Sequence, residues 1–484
     1  MRSPKLTYPL TPQVCEVALA EFLERKRRAF PRFYFVSTRM LLEMLSDGNR
    51  PWLVARHISF VLQGVQTLRL VGEPKSTVRA IASAEGEEVA FSCNGPLPLV
   101  GKVEAYLAEL IGAVQRELRA QTEVAILDAV SRPRNEWLMH HAAQLVLLCA
   151  ALFWTRDTEA ALEEMERGSK NALAESSALQ AESLAALVRM VQGELEPLQR
   201  RKVMSLITME MHSRDVNFNL AAEGGQVRNS FRWASQLRTE RRETSEEVGP
   251  PPIWNAMCDA SFRYGFEYLG NAPRLVVTPL TERVYVTATQ AAHLTLGCAP
   301  TGPGGTGKTE TAKELAYAMG KPIYVFSCGP KMDYRTLGDL FKGLAASGVW
   351  GCLDNFRRLP LRVLSVCSVQ LKAMLDGMRS RAATFAHEGL DHFLHADATL
   401  PFFTMLPPGV GTGRAELPES LKVTTSICIY INHFIYMYIY IYIYICIRRE
   451  RGGYMETRLG QPVSRASARA AERRRSKAGR SARG

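Results

Sequence analysis

The chain has no paired cysteine spacing, no leader-like N-terminus and, before residue 427, no apolar run of membrane-spanning length, and each absence removes a class of protein. Ten cysteines in 484 residues form no CxxC and no Cys/His cluster, so neither a zinc site nor a disulfide framework is indicated. Free thiols in a reducing compartment are the expectation. A secretory leader is not expected either, because Glu21, Glu24, Arg25, Lys26, Arg27 and Arg28 break up the first thirty residues. The longest early apolar stretch, Ala142 to Phe153, is twelve residues and reads as a buried helix, since crossing a bilayer takes about 20. A diffuse positive field is absent as well. The formal charge is +12, but residues 448–484 hold twelve Arg/Lys against three Glu, so the preceding 447 residues carry only +3. The charge belongs to the tail, and no nucleic-acid partner is expected from it.

What is present falls into four stretches. Residues 1–265 mix helix and loop and become strongly helical from Asn135 to about Val216. Phe30 to Ser37 is an aromatic, strand-like run, with helix over Arg39–Leu45. Glu85 to Val89 reads as a turn before a short strand. Val103, Tyr106, Leu107, Leu110 and Ile111 have the spacing of an amphipathic helix, and Thr158–Met190 is rich in Ala, Leu and Glu, as one long packed helix would be. Gly224-Gly225 and Gly249-Pro250-Pro251-Pro252 break regular structure before a boundary near 265. Residues 266–422 alternate strand and helix. The strands are expected at Arg274–Thr278, His293–Ala299, Pro322–Ser327, Val349–Asp354 and Pro401–Met405, the helices at Thr309–Met319 and Arg362–Met378. Residues 423–447 are dominated by alternating Ile and Tyr. The length allows a membrane helix with Arg448-Arg449 as its flank, while the two-residue period is that of a strand. In codons, ATA and TAT would make it a translated AT repeat. Residues 448–484 then read as a non-globular, disordered basic tail.

The chemistry centres on Gly302-Pro303-Gly304-Gly305-Thr306-Gly307-Lys308-Thr309, which fits G-x-x-x-x-G-K-[ST] between an expected strand and an expected helix. The glycines let backbone N–H groups turn toward phosphates at the positive end of a helix. Lys308 would reach the β/γ-phosphates and the Thr309 hydroxyl would help hold Mg²⁺; Glu310 extends the motif. A functionless Gly-rich turn is the alternative. A second strand must present a carboxylate to the metal and a base to the attacking water. Asp354 closes Val349–Asp354 in that position, unless it is only a turn aspartate. The next residue is Asn355, whose carboxamide has no basic site near neutral pH.

At this point the chain resembles the dynein heavy chain, specifically its linker and first AAA+ module. The likeness rests on Ala260 to Asn271, Thr278 to Arg283, the P-loop with Glu310-Thr311, Met332-Asp333-Tyr334, Lys342 to Ala345 and Gly413 to Glu419. Upstream it includes Phe30–Phe35, Glu136-Trp137, Phe153-Trp154-Thr155, His212 to Asp215 and Trp233 to Arg238. The resemblance implies an α-helical linker followed by an α/β P-loop module, with ATP and Mg²⁺ as ligand and cofactor. It implies minus-end-directed movement on microtubules, with intermediate chains, light chains and other heavy chains as partners. Location would be the cytoplasm and cytoskeleton, or the ciliary axoneme for an axonemal type. Two residues depart from the family pattern: Asn355 stands where its catalytic glutamate belongs, and Leu406 where its γ-phosphate-sensing asparagine belongs. The similarity ends at Lys422, before any stalk or further ring module. The expectation is therefore a polypeptide that binds Mg-ATP and hydrolyses it poorly. A non-catalytic ATP-binding scaffold and, less favoured, a membrane-anchored ATPase stand as alternatives.

Overall fold

The computed structural model describes residues 12–73, 75–169, 171–223, 230–243, 250–399, 401–405 and 427–430. It begins with helix α1 (Pro12–Ala29), a 3₁₀ turn at Pro31–Phe35, α2 (Thr38–Ser46) and the short α3 (Pro51–Val54). A small antiparallel sheet follows. Its strands β1 (Thr67–Val71), β2 (Thr77–Ala82), β3 (Glu88–Ala90) and β4 (Leu97–Pro98) are arranged so that β2 pairs with each of the others. Helix α4 (Val103–Ser131) buries Val103, Tyr106, Leu107, Leu110, Val114 and Leu118 at three- and four-residue steps against this sheet and α1. It runs well past the expected stripe.

The helical stretch continues as α5 (Arg134–His140), α6 (Ala143–Glu166), α7 (Ala172–Gln192), α8 (Pro197–Glu223) and the single turn α9 (Phe231–Ala234). A three-stranded antiparallel sheet, β5 (Arg238–Arg241), β6 (Ile253–Met257) and β7 (Ala260–Arg263), leads to the nucleotide-binding module.

That module opens with α10 (Pro279–His293). Thr278 and Thr281 satisfy each other's backbone N–H groups in a capping box, and Pro279 occupies the first turn, where its missing N–H costs nothing. Strand β8 (Cys298–Thr301) runs into the P-loop and α11 (Lys308–Ala318). Then come β9 (Ile323–Ser327), α12 (Tyr334–Ser347), β10 (Trp350–Asp354), α13 (Leu361–Arg379), the hairpin β11 (Thr384–His387) and β12 (Leu390–Phe393), and finally β13 (Phe402–Phe403) and β14 (Ile427–Tyr430). Strands β9, β10 and β13 are parallel neighbours. Met405 bridges in parallel to Thr301 of β8, and β14 pairs in parallel with the other side of β8. Parallel strands buried on both faces read as continuous apolar runs, as Trp350 to Leu353 do.

Several sequence expectations are corrected. Phe30–Ser37 contains a 3₁₀ turn, because Pro31 sits at its start, Phe30 packs edge-on to Phe33 at 4.8 Å, and the aromatics go into the core with no strand partner. Thr158–Met190 is two helices, broken at Gly168, whose φ of 112° leaves the helical region. Arg274–Thr278 is not a strand: Arg274 turns inward to pair with the buried Glu314. The segment expected as a strand over His293–Ala299 is helix at His293 and strand only from Cys298. Four residues of the Ile/Tyr stretch, for which the sequence leaves a membrane helix, a strand and a translated repeat open, form β14. A β-branched and aromatic alternation suits a pleated edge, and here it covers backbone groups of β8 that an edge strand would leave unpaired. Among the described residues no helix is long and apolar enough to cross a membrane.

The helical region and the module meet along residues 264–271. Arg32, 5% exposed, donates to both oxygens of Glu267 and to the Val61 carbonyl at 3.0 Å. Tyr324 of β9 donates to the same carbonyl at 2.9 Å. Gln144 donates to the Glu267 carbonyl and the Tyr264 hydroxyl, while backbone N–H groups of Gly265 and Glu267 bond Met319 and Gly320 just beyond α11. Gly320, at φ 63°, is where the Tyr264 ring comes too close for any Cβ.

Candidate nucleotide-binding site

The P-loop lies between the C-terminal end of β8 and the first turn of α11. Gly305 and Gly307 have φ of 75° and 80°, a backbone region that glycine enters without the cost a side chain would bring, and Gly307 forms the N-cap of the helix. The loop's end thus presents free helix N–H groups and the positive end of the helix dipole. Lys308 folds across the loop, donating to the carbonyls of Gly302 at 3.0 Å and Pro303 at 2.6 Å and to Thr306 Oγ1 at 3.3 Å. Burial pulls its ammonium below the ordinary lysine range, and Asp354 opposes that pull. The positive group is thereby held among neutral carbonyls at the centre of the loop, where an anionic phosphate would be a stronger partner.

Asp354, at the end of β10, is reached from three sides. Thr309 Oγ1 donates to its Oδ1 at 3.1 Å, Thr404 Oγ1 makes a short bond to the same oxygen, and Asn355 Nδ2 donates to Oδ2 at 2.8 Å. The amide must present its nitrogen here, because its oxygen would face a carboxylate. Asn355 has φ 59°, a left-handed conformation that asparagine tolerates better than most residues. The Mg²⁺ fit is good: a hydroxyl and a carboxylate oxygen already within hydrogen-bonding distance are the hard donors this ion takes, with phosphates and water completing its shell. Burial pushes the nearby Cys328 and Cys352 thiols up to about 12, so neither supplies a nucleophile.

The structure brings Gly302–Thr309, Asp354 and Asn355 together. Glu310 lies in the first turn of α11 with its carboxylate accepting from Lys313 at 2.7 Å. Leu406 lies outside the described residues. One participant was missed from the sequence: Thr404, fully buried just after β13, whose hydroxyl bonds Asp354 and accepts from the Asn355 N–H at 3.3 Å. Its signal was a lone hydroxyl in Phe402-Phe403-Thr404-Met405, where a purely structural strand needs none.

Comparison with known proteins agrees with this geometry. A family profile described as the hydrolytic ATP binding site of the dynein motor region matches residues 264–433, and one described as dynein heavy chain N-terminal region 2 matches residues 11–125. The chain is 42% identical over 434 residues to the flagellar outer arm dynein alpha chain of Chlamydomonas reinhardtii, covering 85% of this chain and 9% of that one. It is 40% identical over 422 residues to human dynein axonemal heavy chain 9 and 38% identical over 422 residues to the ciliary dynein beta chain of Tripneustes gratilla, covering 86% of this chain and 9% of each relative. The chain therefore spans about a tenth of the length of these relatives. Two dynein profiles in the expected order, and this identity across both the helical region and the P-loop module, establish that the chain belongs to the dynein heavy chain family.

Proposed function

We propose that this chain binds Mg-ATP at Gly302–Thr309 and hydrolyses it slowly or not at all, as part of an axonemal motor that uses ATP to move on microtubules. The observation that carries the binding half is the meeting of Lys308, Thr309 and Asp354 at the ends of two parallel strands. Thr309 and Asp354 would hold Mg²⁺, which when bound neutralises phosphate charge. Lys308 would exchange its loop carbonyls for phosphate oxygens, and the glycines would offer N–H groups.

The slow-turnover half rests on Asn355. A water needs a partner that takes its proton as it attacks, and a carboxamide already bonded to Asp354 cannot do that. The axonemal and ciliary names of the relatives support placement in the axoneme, with microtubules, intermediate and light chains and other heavy chains as partners. The same Asn355 bond favours a second reading, in which nucleotide only orders the module and the chain acts as a scaffold.

Isothermal titration of the purified chain with ATP and Mg²⁺, together with phosphate release, tests the proposal. The expected result is Mg²⁺-dependent binding with turnover far below ~1 s⁻¹, the low end of ordinary enzymes. Turnover near ~1 s⁻¹ overturns the slow-hydrolysis half, and failure to bind overturns both halves.

A further inference from the structure

Asn355 does more to the nucleotide site than lack a basic atom. Its φ of 59° is a conformation that asparagine enters at little cost, and the backbone there is pinned on both sides. The Asn355 N–H donates to the Thr404 hydroxyl at 3.3 Å, and its carbonyl accepts from the Arg358 N–H at 2.9 Å. The next residue, Phe356, is fully buried with its ring edge-on to Phe403 at 4.8 Å. The side chain therefore leaves a fixed backbone and delivers Nδ2 to Asp354 Oδ2 at 2.8 Å.

This contact divides the two oxygens of Asp354. Oδ1 meets the hydroxyls of Thr309, at 3.1 Å, and Thr404, and a hydroxyl can turn a lone pair toward a cation or its water. Oδ2 meets an amide N–H, which can only donate; an ionised carboxylate at position 355 would have no hydrogen to give and could not make the bond. A carboxylate tied at one oxygen by a charge-assisted hydrogen bond offers a metal the other oxygen alone. The number of oxygens offered bears on which metal is taken. Mg²⁺ demands a near-ideal octahedron, too regular for the narrow bite of both oxygens of one carboxylate, whereas the larger and more flexibly coordinated Ca²⁺ accepts that bite readily.

We propose, on the reading that Mg-ATP binds at Gly302–Thr309, that Asn355 is a positioning residue for the metal: by holding Oδ2 it keeps Asp354 to one oxygen and makes the site prefer Mg²⁺ to Ca²⁺. The test is isothermal titration of the purified chain with ATP in Mg²⁺, in Ca²⁺ and in EDTA. It compares the unaltered chain with Asn355→Gly, a truncation that tolerates the positive φ. The unaltered chain should bind Mg-ATP more tightly than Ca-ATP. In Asn355→Gly, Mg-ATP should weaken by about 10-fold, as for the loss of an outer partner of a metal site, and Ca-ATP by less than about 3-fold. Binding in EDTA should not change. If Asn355→Gly does not fold, as judged by circular dichroism, Asn355→Asp takes its place, having the same shape without the donor and the same expected narrowing of the Mg-to-Ca ratio. Absence of metal-dependent binding in the unaltered chain overturns the Mg-ATP reading and this proposal with it. Where Mg-ATP does bind, equal affinity for Ca-ATP in the unaltered chain overturns this proposal alone. So does a Mg-to-Ca ratio that the variant leaves unchanged, or a loss for Asn355→Gly in EDTA as large as the loss in Mg²⁺.

Discussion

Two carboxylates, one in each half of the molecule, are held in opposite ways. Glu117 of α4 is 1% exposed and accepts from the backbone N–H groups of Ser92, Cys93 and Asn94, from the Asn94 side chain at 2.9 Å and from Gln121 at 2.8 Å. Asp354 is partly exposed and is held by two hydroxyls and a carboxamide. The difference is one of commitment. Backbone N–H groups can do nothing but donate, so Glu117 organises the 92–94 loop and is saturated there. A hydroxyl can turn and offer its own lone pair, so the donors around Asp354 can give way to a cation. A caged carboxylate holds the fold together, whereas a loosely held one remains available for chemistry.

The strongest way to break this comparison is Glu117→Leu. Three backbone donors would lose their acceptor at a part-buried place where water can replace it only in part, so a loss of about 1–3 kcal/mol in all is expected. A urea titration followed by tryptophan fluorescence should show it, with Mg-ATP affinity of the folded fraction unchanged. A loss within ~0.5 kcal/mol would mean the loop finds other partners and the cage is decorative.

Asp354→Asn should give the mirror image. Mg²⁺-dependent ATP affinity should fall at least about 10-fold, since even outer partners of a metal site are worth 10–100-fold. The urea midpoint should barely move, because the new amide's oxygen still accepts from Thr309 and Thr404 while the Asn355 carboxamide can turn its oxygen to accept from the new nitrogen. Equal damage to the midpoint and to affinity would make Asp354 a second Glu117, and the turn-aspartate reading would return.

How legible this was from the sequence depended on how local each signal is. The P-loop motif could be read directly, because its spacing and glycines lie within eight residues, although the strand before it begins at Cys298 and not at His293. Asp354 and Asn355 followed from the strand before them. Thr404 did not, since its role exists only where β13 is inserted between β8 and β10, and no local pattern states that neighbour order. Glu117 is similar: in sequence it is one more charge on a helix, and only the return of the 92–94 loop turns it into a core residue. The 3₁₀ turn at Pro31–Phe35 defeated the strand expectation because tertiary packing of Phe33 and Tyr34 outweighed their β-propensity.

Thr404→Val sharpens the comparison at smaller scale. It keeps the shape and deletes the hydroxyl between Asp354 and the Asn355 N–H, so a loss of about 1–2 kcal/mol in stability is expected. Mg-ATP affinity should fall by about 3–10-fold through a less well-placed carboxylate. Unchanged affinity would show that Thr309 alone positions Asp354 and that Thr404 belongs with the structural donors.

The smallest effect is in pH. Burial would raise the Glu117 carboxyl, but the donors from Cys93, Gln121 and Asn94 outweigh it and hold the group below its ordinary value of 4.5. The folded state therefore binds the proton less readily than the unfolded chain does. The stabilisation is complete above about 4.5 and is lost as pH falls through the lowered folded value. Urea midpoints measured at descending pH below 5 should fall less steeply in Glu117→Gln than in the unaltered chain, because the variant has no proton to take up there. An equal slope in Glu117→Gln and in the unaltered chain would mean that the acid sensitivity lies with other carboxylates and that the cage around Glu117 does not act on its proton.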